Sequence, residues 1–417
     1  MECVTLKSER DLSQRRFGTI LLLFKLTGIP LNTYSVSRVQ SVHNITSAVC
    51  YYVTVASSFM DVYVNRNNFE EVMKSIRVFL AIIFVTVMDI SFRFRKHDMN
   101  HLITLTEYFT WEELPAIHPD TGYATHAGLV PKIPVIVKYM MVFIAVFHGT
   151  QCIVRMIISH DMIYSKWYPF DATVSPVYEL VNLSQAIASL CAACIFVGCF
   201  SLYAILVCVA CSQLEKLRAA LLDIRQIHVT AERDCGTQAD LLEAQGHSRA
   251  SEELFRHMQK QINNCIRHHQ EIKRFMQSTE ECWNILLCGT FLVLLSAMCF
   301  NAFSAIMCWG KHADVAQAVF LYAVMTGYVC LICWLGNELS EQAENVKDAA
   351  WGCDWVGTPV PFQRCLAFII ATANKEFTLT AGKFVPVSNK TMMNMMNQTL
   401  SFFMFLLQMR SRDYETN

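Results

Sequence analysis

Six positions near the C-terminus, Thr391, Asn394, Gln398, Ser401, Phe405 and Gln408, are spaced 3, 4, 3, 4 and 3 residues apart. That is the spacing of one helix face. Five of the six side chains are neutral and polar, and most of the surrounding sequence is Met, Leu and Phe, with Asn397 and Thr399 off the stripe. One uncharged polar stripe on a membrane-length helix can line a water-filled pore and let ions pass. The same spacing fits a seam of hydrogen bonds between neighbouring helices. A second polar group, His148, Gln151, Cys152 and Arg155, shares one face of another apolar stretch. A buried imidazole can donate to or accept from a ligand, and His148 is the sharpest candidate for that role. The competing reading is a satisfied bond to Gln151 or Ser184.

Other chemistry is poorly supported. The sequence contains no His-Glu-x-x-His, Gly-x-Ser-x-Gly or Walker-type loop, so no catalytic residue is assigned and the chain is read as a non-enzyme. Three CxxC runs, beginning at Cys191, Cys208 and Cys330, lie inside apolar stretches without a nearby histidine or carboxylate. They fit close packing of small residues better than zinc or redox chemistry, and no metal or cofactor is expected. The net charge of −1 gives no sign of a nucleic-acid partner.

The elements that must position these groups are membrane spans. The 417 residues are 53% hydrophobic and only 17% charged, and the apolar excess falls in long runs, as in a polytopic protein of the lipid bilayer. Spans are predicted over Ser41–Val64, Phe69–Phe92, Ile133–Ile158, Val177–Cys211, Cys282–Cys308, Val315–Leu335 and Val387–Met409. An amphipathic stretch, Arg15–Leu31, precedes them as an interfacial or re-entrant helix. Phe362–Thr372 is apolar but too short to cross a core of about 30 Å. Arg93, Arg95, Lys96, Lys132, Lys347, Arg364 and Lys375 fall on the N-terminal side of the membrane. Only Arg66, Lys166, Lys311, Arg410 and Arg412 fall on the other. This places the N-terminus in the cytoplasm and the C-terminus outside. G-protein-coupled receptors have the opposite sense.

Several short stretches, in order, resemble the insect odorant receptor family over nearly the whole chain. They are Gly28-Ile29-Pro30, Trp167-Tyr-Pro-Phe-Asp171, Gly336-Asn-Glu338, Ala349–Trp355, and a tail of Leu379-Thr-Ala-Gly-Lys-Phe384, Ser401-Phe-Phe and Leu407-Gln408. Gustatory receptors usually carry Thr-Tyr and Gln-Phe where this tail has Ser401-Phe402 and Gln408-Met409, which favours the odorant branch. The connection between the fourth and fifth spans is shorter than in the family's co-receptor, which favours a ligand-tuning subunit.

The resemblance implies an all-α, seven-transmembrane-helix ligand-gated cation channel subunit of the plasma membrane of sensory neuron dendrites. It would act as a heterotetramer with the odorant receptor co-receptor. It implies a cytoplasmic segment over 1–40 and a ligand-binding region in 41–211. A cytosolic anchor would comprise 212–276 and 337–381, with spans five and six over 277–336. The pore helix would lie in 382–410 and an extracellular tail in 411–417. The resemblance puts Phe405 and Gln408 at the gate. It also puts a small volatile ligand among Ile76, Phe79, Leu80, Ile83, His148, Gln151, Cys152, Leu183, Ser184, Ile187, Cys191, Tyr322 and Thr326. A gustatory-type receptor channel and a small-molecule transporter are the alternatives.

Overall fold

The computed structural model describes residues 16–29, 31, 37–117, 124–154, 156, 162–164, 166–224, 243–307 and 312–416. Helix α1 (residues 16–26) ends where Gly28 takes a positive φ of 79°. Five helices follow: α2 (Arg38–Val64), α3 (Phe69–Phe94), α4 (Lys96–Leu105), α5 (His126–Leu129) and α6 (Lys132–Val154). Then come α7 (Val177–Asp223), α8 (Glu243–Met307), α9 (His312–Gly352) and α10 (Val360–Ala373). A small antiparallel hairpin of β1 (Thr380–Ala381) and β2 (Val385–Pro386) leads into α11 (Asn389–Thr416).

By length and composition, six helices among the described residues are able to cross a membrane. They are α2, α3, the run containing α5 and α6, α7, α8 and α9. Helix α11, with 28 residues, is long enough but stands outside that set because of its Asn, Gln, Ser and Thr content.

Three helices are too long for the bilayer alone. The 47, 65 and 41 residues of α7, α8 and α9 amount to about 70, 98 and 62 Å at 1.5 Å per residue. Their surplus lies at one end, where α10 packs against α8 and α9. Phe362, Leu366, Ile369 and Ala373 are buried on α10 at spacings of four, three and four, while Val360 and Phe368 stay exposed. That apolar helix is held by protein contacts, which removes the need for a bilayer around it.

The core is densest where α1 is wedged among the long helices. Phe17, Ile20 and Phe24 of α1 are fully buried. Phe24 stacks on Phe92 at 4.7 Å, Phe92 meets Trp283 at 5.9 Å, and Trp283 meets Tyr203 at 5.1 Å. A buried carboxylate fixes the same region: Asp89 Oδ2 accepts from Tyr52 Oη at 2.6 Å and Arg93 Nε at 2.8 Å. Arg93 also reaches the Thr27 carbonyl at 3.3 Å, tying the end of α1 to α3.

The hairpin is locked to α8, with Gly382 N donating to the Asn284 carbonyl at 2.8 Å. Val387 N then donates to the Leu379 carbonyl at 2.7 Å, which fixes the point from which α11 starts. Val387 also sits hard against Gly336 of α9.

Candidate functional site

Helix α11 has two unlike faces. Thr391, Met395 and Thr399, one turn apart, are buried against the chain's own bundle, chiefly α8 and α9. Thr399 is 2% exposed and bonds to Cys299 of α8. Asn394, Gln398, Ser401, Phe405 and Gln408 are all exposed, Phe405 at 55%. The polar row therefore lies on the side of the helix that the chain itself does not cover. Thr391 departs from the row: it is buried, and its hydroxyl donates to the Pro386 carbonyl at 2.6 Å within the hairpin connection. Thr399, off the stripe by spacing, is the residue that faces inward.

A second region lies at the outer end of the bundle, opposite the basic loops. Its floor is a ring of aromatics. Phe84 of α3 and Phe196 of α7 each lie 5.3 Å from Tyr328 of α9, and Phe200 lies 5.9 Å from it. Leu80, Ile187 and Tyr322 pack on the same core, within about 14 Å of the floor along their own helices at 1.5 Å per residue. Ile76 and Ile83 are half-buried on α3. Thr326, two residues before Tyr328 and four after Tyr322, has its hydroxyl oxygen buried.

A loop closes over α7. Gln185 Oε1 accepts from Tyr164 N at 2.8 Å, while its Nε2 donates to the Tyr164 carbonyl and to Tyr168 Oη, each at 3.1 Å. Asn182 Oδ1 accepts from Ile163 N at 2.9 Å. Two side chains of one helix face thus pair with loop backbone much as a neighbouring strand would. Asn182 heads an Asn-Leu-Ser sequon, yet it is buried and bonded. Tyr164 lies 6.1 Å from the ring of His148, and His148 Nε2 sits 2.8 Å from Ser189 Oγ and 3.5 Å from Cys152 Sγ.

The sequence-derived candidates therefore divide. His148 and Cys152 form one polar pair with Ser189, which replaces the Gln151 or Ser184 partnership considered for His148. The side chain of Gln151 lies outside the described residues. Leu80, Ile187 and Tyr322 pack on the same core as the aromatic floor, and Thr326 lies one turn beyond Tyr322 on α9. Phe79 instead meets Phe59 of α2 at 6.1 Å. Cys191 bonds to Ser47 on the α2 side of α7. Leu183 is 59% exposed, and Ser184 is half-buried.

Sequence reasoning missed Asn182, Gln185 and Ser189. The signal that could have found them is polar residues at i, i+3 and i+7 in an otherwise apolar helix. Arg77 lies near one end of the second predicted span, where a long basic side chain can snorkel. Arg77 is instead buried, donating to Ser304 Oγ at 3.2 Å and Gln317 Oε1 at 3.0 Å.

Lys166, in the same outer loop, is only 7% exposed. Burial pushes its ammonium down to about 8, partly offset by the Asp61 carboxylate. The folded state thus holds this proton less tightly than the unfolded chain, so stability rises as pH climbs from about 8 to about 10.5. Lys166→Met is expected to flatten that slope and to stabilise the protein at neutral pH by about 2 kcal/mol. Thermal melts of purified protein across pH 7–10.5 check this, and an unchanged slope contradicts it.

Comparison with known proteins places this architecture among described ones. The family model described as "7tm Odorant receptor" matches residues 68–400. The chain is 23% identical over 276 residues to Odorant receptor 2a of Drosophila melanogaster, covering 64% of each chain. It is 21% identical to Odorant receptor 30a of the same species, over 96% of this chain and 98% of that one. The match spans only 37% of Drosophila melanogaster Odorant receptor 85b. The co-receptor of Harpegnathos saltator is 22% identical over 36% of this chain and 31% of its own length. Among solved structures, the insect olfactory receptor OR5 from Machilis hrabei superposes with a TM-score of 0.72, at 15% identity, over 96% of this chain and all of that one. The same receptor in complex with eugenol gives 0.69.

Proposed function

Because this chain belongs to the insect odorant receptor family, we propose that it is a ligand-tuning subunit of an odorant-gated cation channel. It works in the plasma membrane with its N-terminus in the cytoplasm and assembles with the odorant receptor co-receptor. The observation that carries the reading is the uncovered polar face of α11. Asn394, Gln398 and Gln408 turned toward lipid would leave carboxamides without partners in hydrocarbon, at several kcal/mol each. Placed around a central axis with equivalent helices of other subunits, the same row faces water. Residues 387–408 contain no Asp or Glu, so the pore is expected to discriminate weakly among cations.

Assembly has a surface available on the anchor. Trp351, Val356, Val360 and Phe368 are exposed apolar side chains on the inner extensions, a concentration that suits a contact between subunits. The outer region between α3, α6, α7 and α9 is the ligand site in this reading. Volatile ligands bring few polar atoms, so apolar burial at about 25 cal/mol per Å² supplies most of their affinity.

Recording from cells with and without the co-receptor, across a panel of volatiles, tests the proposal. A current that needs both partner and odorant is expected. A ligand-evoked current without the co-receptor would favour a gustatory-type channel. Uptake without conductance would favour a transporter.

A further inference from the structure

In helices buried in a membrane, serine and threonine hydroxyls usually return to the carbonyl one turn back. This chain does so repeatedly: Thr54 donates to Cys50, Thr86 to Ile82, Ser201 to Val197 and Thr399 to Met395, at 2.5–2.9 Å. Thr326 does not. Its Oγ1 is buried without a hydrogen-bond partner, including the Tyr322 carbonyl four residues earlier. A hydroxyl left unpaired in this way is destabilising, although the self-satisfying arrangement used elsewhere in the chain is close at hand. The cost is recovered only when something else enters and bonds to it.

A second orphan is nearby. Asn301 of α8 is fully buried, and its Nδ2 donates to the Ala297 carbonyl at 2.7 Å and touches Met325 Sδ at 3.7 Å. Met325 is the residue before Thr326. Because the amide nitrogen is committed, Asn301 Oδ1 is fixed as an acceptor, and it is buried without a donor. An acceptor of this kind calls for an O–H or N–H. Tyr322, one turn before Thr326 on the same helix face, packs on the apolar core, which calls for an apolar skeleton.

We propose that Thr326 is the hydrogen-bonding anchor of the ligand site, and that this chain is tuned to small volatile alcohols. This inference rests on the channel reading above. A ligand hydroxyl both accepts and donates, so it can satisfy Thr326 and leave its own proton for an acceptor such as Asn301 Oδ1. An ether of the same skeleton offers no proton, and an alkane offers neither.

The test uses the full-length chain expressed with the co-receptor and three matched probes of one carbon skeleton: a primary alcohol, its methyl ether and the parent alkane. In the wild type, the alcohol is expected to act at the lowest concentration. Thr326→Val keeps the shape and removes the hydroxyl, and should raise the half-maximal alcohol concentration about five- to tenfold. The methyl ether keeps an acceptor oxygen for Thr326 and should lose potency in part, whereas the alkane response should be unchanged. Thr326→Ser restores the hydroxyl and should recover most of the loss, which separates a lost bond from misfolding. Equal shifts for alcohol and alkane, or no shift for the alcohol, would overturn the assignment and leave the orphan hydroxyl to a buried water. Currents evoked by the ether and alkane that the hydroxyl does not strengthen would overturn this inference alone. Silence to every probe and to the wider panel of volatiles would overturn the channel reading itself.

Discussion

Replacing Phe405 with alanine, in cells that also express the co-receptor, should produce a standing current severalfold above wild type before any odorant is added. Phe405 is the one apolar member of the exposed row on α11, between Ser401 and Gln408. A phenyl ring repeated around a narrow axis excludes water, and a dewetted constriction blocks ions without any steric plug. Alanine in its place widens the constriction and leaves it flanked by polar side chains, so water re-enters. In the proposed channel, opening would then amount to rotating the ring off the axis. Gln408, one turn nearer the outer end, should affect relative permeability more than basal current. If basal current stayed at the wild-type level in Phe405 variants, and permeability were unchanged in Gln408 variants, the gate would have to lie elsewhere on the helix.

Substituting Gly336 with alanine should abolish or severely reduce the ligand-evoked current. A Cβ at this position would stand 2.6 Å from the Val387 carbonyl oxygen and 2.7 Å from Val387 Cγ1. Real side chains do not approach so closely, so Val387 must move. Val387 is held by its bond to Leu379 and sits just before the start of α11. Overpacking of this kind typically costs 1–3 kcal/mol, and here the displacement is delivered at the pivot of α11. Gly327→Ala on the same helix is the control, because a Cβ there meets nothing within 4 Å. Equal responses from the two variants would show that the close approach at Gly336 is dispensable. Surface labelling distinguishes lost gating from lost expression.

What could be read from the sequence was set by local periodicity and hydropathy. Apolar runs located α2, α3, α6, α7 and α9 to within a few residues at most ends, because each must match the bilayer within a single stretch of chain. The fifth span was predicted to begin at Cys282, where hydropathy rises. The helix itself runs unbroken from Glu243 to Met307, since a change from lipid to water around a helix leaves its backbone bonds intact.

Side-chain partners were less accessible. Arg77 looked like a snorkelling residue because its acceptors, Ser304 and Gln317, are more than 220 positions away. Thr391 counted toward the polar row, yet its hydroxyl turns back to the hairpin, a choice set by a connection that periodicity does not describe. The placement of Thr399 against Cys299 followed from which side of α11 meets α8, and a helix pattern alone cannot assign a neighbour to each of its faces.

The polar content that leaves α11 outside the set of self-evident spans also bears on how the protein is made. Among the described residues, six helices that are long and apolar enough to cross a membrane precede it during synthesis. The last one is a poor solo passenger, because its amides and hydroxyls oppose insertion. Thr399, Met395 and Thr391 dock it on the bundle already in place, and in the proposed assembly other subunits would cover its remaining face. An unassembled chain would then display its polar row to the surveillance machinery of the secretory pathway. If α11 lines the pore as proposed, the residues that conduct ions in the finished channel would report, before that, whether assembly has taken place.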